Sequence, residues 1–94
     1  MRAVSGVRRA RVRVRGRVQG VFFRESIRRA ALEEGVAGYV RNVPDGSVEA
    51  AFEGAPDAVE RLVAFARSGP PDADVREVEI AEEPPEGASG FSVA

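Results

Sequence analysis

The sequence predicts an α/β domain of the α+β kind, with two helices on one face of an antiparallel sheet. Three observations carry that expectation. Apolar residues alternate with polar ones in several short segments. They recur at helical spacing in two longer segments. The segments run in the order β-α-β-β-α-β, with a short strand at the end. A chain of 94 residues makes one domain, and with 44% hydrophobic and 31% charged residues it suits a globular fold rather than a disordered one.

Residues 1–9 read as a flexible basic arm and residues 10–94 as a single domain. From Ala10 to Gly16, Val12 and Val14 alternate with Arg11, Arg13 and Arg15, the pattern of a strand with one buried and one wet face. Gly16 to Val21 is a glycine-bounded turn. Phe22 to Glu34 reads as a helix, because Phe23, Ile27, Ala30 and Ala31 form an apolar stripe, and Gly35 suits its C-cap. Val36 to Val43 is the second strand, and Asp45-Gly46 marks a hairpin. In the third strand, Ser47 to Glu53, the spacing puts Val48, Ala50 and Phe52 inside and Glu49 and Glu53 in water. Pro56 opens the second helix, whose buried stripe is Val59, Leu62, Val63 and Ala66 with Phe65 beside it. Gly69-Pro70-Pro71 stops that helix. Val75 to Ile80 is the fourth strand, with Val78 and Ile80 inward, and Pro84-Pro85 breaks it. Phe91 and Val93 suit a short last strand. This order is that of a ferredoxin-like sandwich with right-handed crossovers, a fold that does not by itself fix a function.

Composition removes several chemistries. With no cysteine, the chain makes no disulfide, thiolate or cysteine-ligated metal site. With no histidine, it lacks the commonest general base and the commonest metal ligand. Asp72 and Asp74 have no metal-ligand company and read as turn residues. No apolar run approaches the roughly 18 residues of a membrane span, and the N-terminal arginines precede no secretory-type segment. The expected setting is cytoplasmic and the expected form a monomer. Charge is distributed unevenly. Residues 1–29 hold ten arginines and one acid, residues 30–94 four arginines and fourteen acids, so +9 faces −10 and the net is −1. Such an asymmetry suits an anionic ligand near the first third, or arginines lining the wet side of a strand and a helix.

Gly16 to Arg24 is the most informative stretch. A strand ends, a glycine-bounded turn follows, and a helix begins. Successive amides in such a turn can converge on an anion, and a helix start adds unpaired N–H groups. Arg24 falls in the first helical turn, where its planar fork can take two phosphate oxygens. Val18, Val21, Phe22 and Phe23 would anchor the loop. A plain strand–helix turn with an exposed arginine reads equally well from these residues alone.

Gly16-Arg17-Val18-Gln19-Gly20-Val21-Phe22-Phe23-Arg24 resembles the signature of the acylphosphatase family. A second family signature follows in Gly38-Tyr39-Val40-Arg41-Asn42, with Gly46, Val48 and Gly54, and the segment from Gly69 to Val75 is also similar. The resemblance covers residues 10–93. It implies an enzyme that hydrolyses acyl phosphates to a carboxylate and inorganic phosphate without metal or organic cofactor. It implies that Arg24 and Asn42 are catalytic, the latter positioning the attacking water. It also implies that Gly16, Arg17, Val18, Gln19, Gly20, Val21 and Phe22 cradle the phosphate with Arg24. From the residues alone, Asn42 beside a Pro-Asp-Gly turn reads as a backbone-bonding asparagine. Glu25 reads as solvated or arginine-paired, Tyr39 and Phe65 as packing residues, and Arg17 as either a contact for a long anionic substrate or a surface charge. The ending Phe91-Ser92-Val93-Ala94 lacks the arginine and aromatic residue common in the family, which predicts weaker packing of the last strand. The rival reading is a nucleic-acid-binding or regulatory module, with Arg11, Arg13 and Arg15 as a basic stripe. It is disfavoured because the first strand has no aromatic residue on which a base could stack.

Overall fold

A computed structural model describes residues 6–94. The elements are β1 (Arg8–Arg17), α1 (Phe23–Glu34), β2 (Ala37–Asn42), β3 (Val48–Gly54), α2 (Pro56–Ser68), β4 (Asp74–Glu83) and β5 (Phe91–Val93). They make one five-stranded sheet in the order β4-β1-β3-β2-β5. Of the arm expected over residues 1–9, residues 1–5 lie outside the described part, and Arg8 and Arg9 belong to β1. The strand starts earlier than the apolar alternation suggests because Arg8 and Arg9 still pair with Gly54 and Glu53 of β3.

Register builds the core. Val12 stands opposite Ala50 on β3 and Ile80 on β4, and Val14 opposite Val48 and Val78. These rows face the helices. Phe23, Ile27 and Ala31 of α1 are buried, as are Ala58, Val59, Leu62, Val63 and Ala66 of α2. Val78 and Ile80 are half-buried, as befits an edge strand. Among the described residues no helix is long and apolar enough to cross a membrane.

The sheet is mixed rather than wholly antiparallel. β5 pairs with β2 in parallel, Gly38 opposite Phe91 and Val40 opposite Val93. To get there the chain leaves β4 at one edge and crosses to the other before turning into β5. A three-residue strand carries no register signal, so the direction of this pairing is not readable from sequence. The last strand is nonetheless held: Phe91 stacks on Phe52 with ring centres 6.1 Å apart, and the Ala94 amide donates to the Val40 carbonyl at 3.0 Å.

The face away from the helices corrects a second expectation. Glu49 and Glu53 are not in water; each is only 4% exposed. β3 lies between β1 and β2, so long side chains from both neighbours close over it. Glu49 accepts from Arg13 Nη2 at 3.2 Å, Arg41 Nε at 2.8 Å and the Tyr39 hydroxyl at 3.2 Å. Glu53 accepts from Arg9 Nη1 at 3.0 Å and from the amides of Glu86, Gly87 and Ala88 at 2.9, 2.8 and 3.0 Å. Glu83 takes Arg9 Nε at 3.2 Å and Arg11 Nε at 2.9 Å, and Asp45 takes Arg15 Nη1 at 2.9 Å. Opposite charges directly across strands stabilise a sheet, and here they alternate across several rows. The arginines expected as a wet basic stripe are thus spent on acids of the same sheet.

Glu53 also anchors the crossing to β5 at its midpoint. The Glu86 amide, with Arg9 and the Ala88 and Gly87 amides behind it, holds the Glu53 carboxyl below the ordinary glutamate value against the opposing effect of burial. Burial pushes Glu49 up, but Arg41, Arg13 and Tyr39 outweigh it and leave its carboxyl lowered as well. A carboxylate depressed in the folded state stabilises the fold above its unfolded value, near pH 4.3, and loses that contribution as pH falls through the folded value. The melting temperature should therefore hold steady above about pH 5 and fall steadily below about pH 4. Glu53→Gln should melt roughly 5–10 °C lower at neutral pH and show a shallower acid limb. Thermal melts across pH check this; parallel acid limbs for the two proteins would remove Glu53 from the account.

Candidate active site

Backbone departures shape the junction between β1 and α1. The pairing of β1 with β4 carries a bulge between Arg15 and Gly16. Gly16 has φ 130°, and a Cβ there would collide with the Asp74 carbonyl, so β1 can leave the sheet at this point only through glycine. Gly20 at φ 76° and Phe22 at φ 63° then turn the chain through left-handed conformations. Phe22 is the only non-glycine with positive φ among the described residues. That conformation costs about 1–2 kcal/mol in an ordinary L-residue. Strain of this sort persists where the surroundings dictate it, and it collects at functional sites.

Val18, Val21 and Phe23 are buried beneath the loop and anchor it as expected. Phe22 does not. It is 78% exposed, because the left-handed turn leaves its ring outside while Phe23 enters the core. Phe22 therefore precedes α1 as its N-cap rather than opening it, and it contributes no side-chain hydrogen bond there. Its carbonyl accepts the Ser26 amide at 3.0 Å. The first amides of α1 are left without intrahelical acceptors or a capping side chain, at the positive end of the helix dipole.

A cleft of about 370 Å³ lies over this junction. Val18, Gly20, Phe22 and Arg24 line it from the expected loop and helix start, and Asn42 lines it from the end of β2. The structure thus brings Arg24 and Asn42 to one cavity. Gly16, Arg17, Gln19 and Val21 do not line it. Gly16 sits in the bulge, Arg17 is exposed opposite Asp74, and Val21 is in the core.

Gln19 has another task. Its Nε2 donates to the Val43 carbonyl at 2.8 Å and to the Ser47 carbonyl at 2.9 Å. Both carbonyls belong to the hairpin that follows Asn42, so one side-chain amide ties the loop to the end of β2. The hairpin is itself braced. Asp45 Oδ1 accepts from the Ser47 hydroxyl at 2.6 Å and from the Ser47 amide at 2.9 Å. Those two bonds, with Arg15 adding to them, hold the Asp45 carboxyl well below the usual range.

Arg24 is anchored from the far end of the chain. Its Nη1 donates to the Ala94 carbonyl at 2.9 Å. Among the described residues its other guanidinium N–H groups have no protein acceptor, so they are free to meet a ligand. Glu25 also lines the cleft, but its Oε2 accepts from Arg28 and Arg29, both at 3.2 Å, the arginine-paired role expected of it.

A family model for acylphosphatase matches residues 10–93. The chain belongs to the acylphosphatase family. The acylphosphatase of Gloeobacter violaceus is 56% identical over 85 residues, which cover 90% of this chain and 91% of that one. The acylphosphatase of Rubrobacter xylanophilus is 54% identical over 94 residues, 99% of this chain and 86% of that one. The solved structure of an acylphosphatase from Coxiella burnetii superposes with a TM-score of 0.88 at 40% identity, covering 94% of this chain and 93% of that one. The activity is accordingly that of an acylphosphatase, hydrolysing a small acyl phosphate to a carboxylate and inorganic phosphate.

Three features of this acylphosphatase cleft are not read from the sequence. Val93 lines it and Ala94 anchors Arg24, because parallel pairing brings β5 beside β2. No periodicity in three residues announces that. The clamp by Gln19 joins residues 24 and 28 positions apart, beyond any local pattern. Gln19→Ala, which removes both donors, should lower kcat by roughly 10-fold or more, since small misplacements of catalytic groups cost that much. Steady-state kinetics beside a thermal melt check it. An unchanged kcat would show that the clamp serves stability alone.

Proposed function

We propose that the cleft is the hydrolytic centre, with Arg24 and the amides of the loop residues that line it, Val18, Gly20 and Phe22, binding the phosphoryl group and Asn42 orienting water toward phosphorus. The observation that carries this reading is that Arg24 and Asn42, from separate motifs, line one cavity with Gly20 and the uncapped start of α1. The water oxygen forms the new bond to phosphorus. The bond from phosphorus to the carboxyl oxygen breaks, and its electrons leave with the carboxylate. The water proton passes to a phosphate oxygen or to solvent.

This chemistry suits a chain without histidine. The leaving carboxylate has a conjugate acid of pKa roughly 4–5, so it departs without a strong proton donor. What the protein must supply is positioning and charge stabilisation, the main demands of phosphoryl transfer. A guanidinium fork offers two parallel donors to phosphoryl oxygens, and preorganised amides gain strength as charge develops. Asn42 is too weak a base to take a proton, so its amide serves to hold and aim the water. The chain is expected to act as a cytoplasmic monomer. The cleft is complete within one chain, and a small fold without cysteine fits a reducing compartment. Sedimentation should then report a particle near the 10.0 kDa chain mass.

Arg24→Ala should lower kcat/KM for acetyl phosphate by at least about 10²- to 10³-fold and weaken inhibition by inorganic phosphate. Arg24→Lys should restore little, because a point charge does not reproduce the fork. Asn42→Ala should lower kcat while phosphate inhibition stays near the parent value. Equal loss of phosphate inhibition in both variants would refute this division of labour. Activity should survive EDTA, and a loss there that a divalent cation restores would contradict metal-free hydrolysis.

A further inference from the structure

The cleft's lining is of two chemical kinds. Arg24, Glu25 and Asn42 are polar, while Phe22 and Val93 are apolar and exposed. Phe22 is the most exposed of the large hydrophobic side chains among the described residues, and Val93 is 42% exposed. Neither the fold nor the local backbone accounts for Phe22. Its ring is outside the core, and its left-handed φ of 63° favours glycine over any bulky residue. An aromatic ring that contributes little to packing, on a backbone that disfavours it, has its use at the cavity it lines. The cavity's 370 Å³ also falls within the range of small-molecule sites, leaving room beyond a phosphoryl group.

We propose that Phe22 and Val93 form the wall that receives the acyl group, so that this site selects acyl phosphates with apolar, above all aromatic, acyl groups. The proposal rests on the reading of the cleft as the hydrolytic centre. A substrate of this class carries its charge at one end and its apolar surface at the other, and the lining supplies groups of both kinds. Two left-handed residues set the wall's position: Gly20 shapes the loop and Phe22 holds its own ring at the rim. Val93 faces the same cavity from β5, whose pairing beside Val40 fixes its place.

The test is the ratio of kcat/KM for benzoyl phosphate to that for acetyl phosphate. Phe22→Gly suits the left-handed backbone, and Phe22→Asn tolerates it while keeping a side chain. Both should lower the ratio about 3- to 10-fold, the worth of one aromatic contact. Phe22→Trp should retain it, and Val93→Ser should lower it by a smaller factor. A ratio unmoved by Phe22→Gly and Phe22→Asn overturns the proposal, including the case in which both substrates lose activity equally. Arg24→Ala is assayed alongside. If it keeps both activities, the cleft is not the hydrolytic centre and the acyl wall falls with it. If it is inactive while the ratio stays fixed in the Phe22 variants, the wall alone is wrong.

Discussion

One side-chain amide governs how the two halves of the cleft meet. Gln19 Nε2 spans from the loop after β1 to the carbonyls of Val43 and Ser47, just beyond Asn42. Apart from that bridge, the hairpin is tied to the end of β1 by the Arg15–Asp45 ion pair and by the sheet itself. β1 and β2 are not neighbours; β3 lies between them. The hairpin after β2 can therefore reach the loop only by extending past the sheet end, and a free hairpin would sample many positions there. Asp45 limits that freedom by binding the Ser47 hydroxyl and amide, and Gln19 then fixes the braced turn to the loop. Pre-organisation of this sort is what a mechanism built on positioning requires.

The same logic extends to the other side of the cleft. The chain must cross from β4 at one edge to β5 at the other. Glu53 on the central strand receives three successive amides from the crossing segment, and Arg9 pairs with the same carboxylate. An ion pair buried this far is weak evidence for net stability, because desolvation opposes the attraction. Its structural effect is clearer. It fixes the path that delivers β5 beside β2, and β5 places Val93 at the cleft and Ala94 against Arg24. A carboxylate outside the cleft thus shares in setting where the guanidinium sits.

Much of the fold was legible in the sequence because its signals are local. Val12 and Val14 alternating with arginines, Ile27 and Ala31 on one helical stripe, and Pro56 opening α2 all depend on neighbours within a few residues. The motifs carrying Arg24 and Asn42 were legible as well, and the cleft brings both to one place. What local pattern misjudged was the company each residue keeps across the sheet. Glu49 and Glu53 alternate with apolar residues exactly as solvent-facing positions do, yet both are buried. Whether a polar face meets water depends on the length of side chains from the adjacent strands. Here Arg9, Arg11, Arg13 and Arg41 are long enough to cover it. The arginines of β1 from Arg8 to Arg15 are answered in the same way, by acids from β3, β4 and the hairpin. This pairing disfavours the basic stripe as a surface for nucleic acid, whose phosphates would have to displace partners already in place.

Phe22 was misjudged for a different reason. Phe22 and Phe23 both read from the sequence as anchors of the loop, although only Phe23 falls on the helical stripe. Only the backbone separates them. A left-handed residue immediately before the helix rotates one side chain out and leaves the next to turn in, so Phe22 is exposed and Phe23 buried. Glycine at that position would relieve the strain, and a polar residue would suit the exposure better. An aromatic ring satisfies neither demand. The site therefore spends stability on an apolar surface beside Arg24, while Val18, Val21 and Phe23 supply the packing that keeps the strained turn in place. In the proposed mechanism charge recognition comes from groups every acyl phosphate would meet alike. Discrimination among acyl groups must then come from the part of the cleft that does not bind phosphate, and Phe22 is where the chain has invested it.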